Sequence, residues 1–189
     1  MTRRSMSLLA LSTLMLALAG GFAATPGCSR QDDVAVDTQI MAFLSEARAL
    51  HHQANIKEEA GDVPGAIAAM ERLVVTSRPH PERKAPEVEE VLADAYARLA
   101  ELRLRKGDLD PAATAVKGGL EHVTEPTYFR GHLVEVQGLI EEARAAQLAD
   151  AGNTAEAARA REHAIQLLEE VVKIQDQVIK SSLGKDGGP

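Results

Sequence analysis

The sequence predicts an all-α domain, an array of about three antiparallel helix hairpins over residues 38–182. Three observations predict it. The frame Ala54, Gly61-Asp62, Ala66 returns as Ala100, Gly107-Asp108, Ala112 and again as Ala145, Gly152-Asn153, Ala157, its glycine recurring after 46 and then 45 residues, which marks an internal repeat. On both sides of each glycine, apolar residues recur at three- and four-residue steps, the period of a helix with one buried face. Beyond residue 38 the chain is rich in Ala, Leu, Glu, Arg and Gln, all good helix formers, and Val and Ile do not alternate as they would in strands. Each copy therefore reads as two helices around a tight turn, with Gly61, Gly107 and Gly152 as the turn glycines.

Composition bounds what such an array can be. Of the 189 residues 45% are apolar but only 3% aromatic, with no Trp, so the core consists of thin side chains between closely spaced helices. The formal charge is −7, and without Arg3 and Arg4 of the leader it becomes −9. An acidic, aromatic-poor surface argues against nucleic acid, which requires basic grooves and stacking rings.

Residues 1–27 read as a leader. Arg3-Arg4, the apolar run from Leu8 to Leu18, and the small residues Ala19, Gly20, Gly21, Ala23 and Ala24 describe a cleaved secretory signal. The uncharged run is near the minimum that spans a bilayer, so an uncleaved anchor is an alternative, one that Gly20-Gly21 weakens. Cys28 is the only cysteine of the chain, so it is a free thiol or a modification site. Thr25-Pro26-Gly27-Cys28 resembles the lipobox of bacterial lipoproteins, with Gly27 as the small residue before the cut. That resemblance implies a diacylglycerol-modified Cys28 and a membrane anchor of several acyl chains. Ser29 in place of Asp implies, by likeness to enterobacterial sorting, the outer membrane with the domain facing the periplasm. A general signal-peptidase cut after Ala17-Leu18-Ala19 is the competing reading and would release a soluble periplasmic protein. Residues 28–37 form a tether, and the eight from Ser29 to Val36 span up to roughly 26 Å.

The first helix is predicted from Asp37-Thr38, either of which caps free amides, with Ile40, Phe43, Leu44, Ala47, Leu50 and Ala54 on one face. Asp62 caps the second helix, Pro64 stands in its first turn, and Ile67, Met70, Leu73 and Val74 face inward. The prolines at 79, 81 and 86 exclude regular helix between Arg78 and Pro86 and account for the length of the repeat. The second pair runs from about Glu87 through Val91, Leu92, Tyr96, Leu99 and Leu102 to Gly107, then from Asp108 or Asp110 through Ala112, Val116 and Leu120. Gly118-Gly119 costs that helix about 1 kcal/mol per glycine and either permits close packing or lets the helix fray. The third pair starts after Thr124-Glu125-Pro126, with Tyr128, Leu133, Val136, Leu139 and Ile140 inward. Asn153 with Glu156 reads as a capping box for the last helix, whose Ala157, Ala164, Leu168, Val171, Ile174 and Val178 form one side as far as about Lys180. Residues 183–189 read as a frayed, flexible tail.

The small residues Ala54, Ala100 and Ala145, their partners Ala66, Ala112 and Ala157, and the Gly-Asp, Gly-Asp and Gly-Asn turns together resemble a tetratricopeptide repeat array over about residues 40–175. The resemblance implies that these alanines let the two helices of a hairpin approach closely. It also implies a scaffold whose first helices present a wall of side chains to a peptide or protein of the envelope. The wall would carry His51 and Asn55 from the first copy and Asp94, Ala97 and Glu101 from the second, a set that does not match the carboxylate clamp of one subgroup. Arg48, His51 and Asn55 lie on one strip and are the candidate partner contacts, although a solvated helix face needs no function.

Catalytic patterns are missing from the sequence. It contains no Glu-x-x-His, no His-Glu-x-x-His, no phosphate loop and no Gly-x-Ser-x-Gly. His51 and His52 point about 100° apart on a helix, His132 and Glu135 are only two ligands, and His80, His122 and His163 read as isolated. Glu58-Glu59, Glu89-Glu90, Glu141-Glu142 and Glu169-Glu170 read as solvated surface. The expectation is therefore no catalytic residue, no metal and no cofactor. Self-association through the long last helix is the alternative to an adaptor role, and a metal-binding or enzymatic helical domain is the third reading.

Overall fold

The computed structural model describes residues 36–185. The leader, Cys28 and the tether as far as residue 35 lie outside the described residues, as do residues 186–189. Within that span there are six helices: α1 (Thr38–Glu59), α2 (Val63–Val74), α3 (Pro86–Lys106), α4 (Leu109–Leu120), α5 (Tyr128–Asp150) and α6 (Thr154–Lys185). They form three hairpins, α1–α2, α3–α4 and α5–α6. None is long and apolar enough to cross a membrane.

Local chemistry sets the boundaries. The Asp37 carboxylate accepts from the amides of Gln39 (3.1 Å) and Ile40 (3.2 Å), and Asp62 accepts from that of Gly65 (2.9 Å). Gly61, Gly107 and Gly152 turn the chain at φ of 80°, 87° and 80°, a left-handed conformation that side chains resist. Pro86 opens α3, where the missing amide has no partner to lose. The start of α6 departs from the expected capping box. Its backbone bonds are those that also open α4: Thr154 N to Gly152 O (3.0 Å) and the ordinary first helix bond, Ala157 N to Asn153 O (2.9 Å).

The first helices stand side by side in the order α1, α3, α5; α2 packs on α1 and α3, and α4 on α3 and α5. Among the described helices α6 packs its backbone against α5 alone. One core runs through α1 to α5 around Leu50, Met70, Leu73, Leu99, Leu102, Leu133 and Ile140. A smaller one joins α5 to α6 through Val134, Leu167 and Ile174, with Leu120 of α4 reaching it. All six repeat alanines, Ala54, Ala66, Ala100, Ala112, Ala145 and Ala157, are fully buried. Gly118-Gly119 permits close packing. A Cβ on Gly119 would stand 2.5 Å from Leu133 Cδ2 and 2.9 Å from Tyr96 Cβ, and one on Gly118 would stand 2.8 Å from the Tyr96 ring.

The structure corrects several expected faces. Tyr128 and Leu139 are exposed, because α5 meets α3 and α4 with Leu133, Val136 and Ile140 and meets α6 with the opposite side. On α6 the inward residues are Ala157, Ala160, Ala164, Leu167 and Ile174, whereas Leu168 is 39% exposed. Helix α6 continues to Lys185, so residues 183–185 belong to it and not to a tail. The extra repeat length lies in first helices of 22, 21 and 23 residues as well as in the proline segment.

Candidate partner-binding face

The three first helices adjoin, so their outward strips form one face, and polar side chains bridge each junction. From α1, the Glu58 carboxylate accepts from both Arg98 and Arg105 of α3. Arg98 also donates to Glu101 (3.1 Å) and to the Asn55 amide oxygen (3.4 Å). Glu101 in turn faces His132 Nε2 of α5 at 3.0 Å. A chain of charge-assisted bonds thus links α1 to α3 to α5. His51 stands 3.7 Å from Asp94 at the α1–α3 junction.

The two bridging histidines have opposite electrostatics. The bond to Glu101 raises the His132 pKa against the effect of burial, which favours the imidazolium. Burial alone would raise the Glu101 carboxyl, but the bonds from His132 and Arg98 outweigh it and hold the pKa below its ordinary value. Burial lowers the pKa of His51 despite the Asp94 carboxylate, so His51 is held neutral.

Of the three predicted contacts, Arg48 and Asn55 are exposed and His51 is half-buried. The structure brings His51 to Asp94 and Asn55 to Arg98, and among the described residues Arg48 has no ion-pair partner. Ala97 is not on the wall; it is fully buried in the main core. The free features of the face are therefore Arg48 at one side and the exposed Tyr128 and Leu139 at the other.

A second cluster corrects the reading of Glu89 and His122. Glu89 is only 6% exposed and is not solvated surface. Its carboxylate accepts from Arg78 (3.2 Å) and lies 2.7 Å from His122 Nδ1, and the His122 ring stacks on Tyr96 with centroids 5.6 Å apart. These groups border a cleft of about 510 Å³ beside Thr76, Ser77 and Lys84. The cluster fastens the proline segment to α3 and to the turn that follows α4. His80 and His163 are not isolated either: His80 stands 2.7 Å from Asp37, and His163 stands 3.7 Å from Glu141. No local spacing signals these pairs. Glu101 and His132 are 31 residues apart, and Glu89 and His122 are 33 apart, so only helix packing brings them together.

A missed signal was local. Gly131, Gly138 and Ala145 recur every seven residues on the side of α5 that meets α6. A Cβ on Gly138 would stand 3.2 Å from Leu168 and one on Gly131 would stand 2.8 Å from Gln175, so this row of small residues lets α6 approach. Among the described residues, no three His, Cys, Asp or Glu side chains are grouped to hold a metal ion. No family model matches the chain, and neither curated proteins nor solved structures match it.

Proposed function

We propose that the chain is a tetratricopeptide-like scaffold of the bacterial envelope, anchored through a lipidated Cys28, that holds a protein or peptide partner against the α1–α3–α5 face. The observation that carries this reading is the face itself: three first helices side by side, pinned by Glu58, Arg98, Glu101 and His132. Such a wall is held in shape before any partner arrives, which lowers the ordering cost of binding. The six buried alanines and the three glycine turns support the repeat reading, and the leader with Cys28 supports the address.

The test is affinity capture from detergent-solubilised envelopes with the natural chain, a Cys28→Ser form and an Arg48→Glu/Tyr128→Ala form. The expected result is one specific protein recovered with the natural chain, reduced by Cys28→Ser and lost with the face variant. Both changed residues of that variant are exposed, so its far-UV circular dichroism should match the natural chain. Recovery of the chain alone, equally in all forms, would overturn the reading.

A further inference from the structure

Helix α6 exposes an apolar stripe at the position where, in the earlier hairpins, the next first helix sits. Ile165, Leu168, Val172, Ile179 and Leu183 recur at steps of three, four, seven and four and are all at least 39% exposed. Taking the turn glycines as common origin, Ile165 corresponds to Leu120, the last residue of α4, so the stripe from Leu168 to Leu183 extends beyond the length of the earlier second helices. Leu120 is packed into the core where α4 meets α5, whereas Ile165 is 52% exposed. Val74, the equivalent residue of α2, is likewise packed into that core beside α3. The α5–α6 hairpin thus repeats only the end of the docking surface that receives α3 and then α5, with Arg161 in the place of the buried Met70 and Val116, and no described helix covers it.

The rims of this surface carry charge of one sign. Glu162, Glu169 and Asp176 recur every seven residues along the outer edge of the stripe, and Glu135 and Glu142 do the same on the adjoining edge of α5. All five are exposed. Gly138 against Leu168 and Gly131 against Gln175 set the level of the two helices, which places Glu142 and Glu135 across from residues 164 and 171. Three cations stand nearby. Arg161 is at one end of the stripe, Lys173 is a step outside the rim, and Lys180 is bound to Asp176 at 2.5 Å.

We propose that this groove receives an amphipathic helix of a partner protein, with an apolar face of small and medium side chains and basic residues along both flanks. The equivalent grooves hold helices, which sets the shape of the occupant, and the acidic rims set its charge. A second copy fits less well, because two acidic chains would bring acidic rims together. The residues involved are distinct from those of the α1–α3–α5 face, so either proposal can fail alone.

The experiment is fluorescence anisotropy of the full chain with two synthetic helical peptides that share one Leu/Ala face and differ only in Lys or Glu flanks. The Lys-flanked peptide should bind at least roughly tenfold more tightly than the Glu-flanked one. Ile165→Asp with Leu168→Asp should abolish binding with the helical signal intact. Glu142→Lys with Glu169→Lys should reverse the preference, a result that damage to folding cannot produce. Equal binding of the two peptides, or binding of neither, would overturn the proposal. So would a dimer in sedimentation that excludes the peptide and is dissolved by the stripe variants, since a second copy would then be the occupant.

Discussion

Gly119 carries no side chain because Leu133 and Tyr96 occupy the space where one would stand. Alanine there gains about 1 kcal/mol of helix propensity but overpacks a fully buried site, which costs about 1–3 kcal/mol. Gly119→Ala should therefore lower the urea midpoint, while Gly118→Ala, which meets only the half-buried Tyr96 ring, should cost less. Charged residues leave a different mark. His132 has a raised pKa, so its stabilisation is complete below the ordinary 6.5 and lost as pH rises through the folded value. Glu101 has a lowered pKa, so its share is present above 4.5 and lost as pH falls through the folded value. The pair contributes most between about pH 4.5 and 6.5. His51 acts in the opposite sense: its lowered pKa makes protonation below the ordinary 6.5 oppose folding. Across pH 5.5 to 7.5, His132→Gln should make the slope of stability against pH more positive and His51→Gln more negative, as read by urea unfolding at each pH.

Elements differ in how far they were legible. The turns at Gly61, Gly107 and Gly152 were readable because φ near 80° is a local demand that glycine answers. The proline segment was readable as non-helical, but not its attachment, since Glu89, Arg78 and His122 come from three separate stretches. Glu89→Ala leaves Arg78 and His122 without their common acceptor and should cost about 1–3 kcal/mol in urea unfolding, and Glu89→Gln should cost less. For α6 the helix was legible and its inward face nearly so: Leu167 was missed, and Leu168 stands at the border, packed against Gly138 of α5 yet 39% exposed. A long helix with apolar residues over most of its circumference does not say which side the single neighbour takes. Ile174→Ala should cost about 2–5 kcal/mol as a buried truncation, whereas Ile179→Ala should change stability by less than about 0.5 kcal/mol.

At the scale of the molecule, contacts run only between neighbours in the array, so stability is a chain of local interfaces and not one all-against-all core. Helix α3 is covered by α1, α2, α4 and α5, whereas α6 packs its backbone on α5 alone, although along the most extensive helix pair of the array. Native-state amide hydrogen exchange should accordingly be slowest in α3 and faster in α6, fastest over its last turns beyond Ile179, which lie past the start of α5. Equal protection of α3 and α6 would show that something covers α6 in solution. The exposed stripe of Ile165, Leu168 and Val172 would then be occupied.

The sequence by itself determined the helical class, the three hairpins, their turns, and the six alanines at the seams, because periodicity, left-handed glycine and tight helix approach are properties of a chain with its near neighbours. Only the tertiary structure decided which carboxylate each of His51, His80, His122 and His132 meets, which side of α5 belongs to α6, and which stripe of α6 has no cover. Those partners lie 31 to 43 residues apart, and no local rule reaches across that distance.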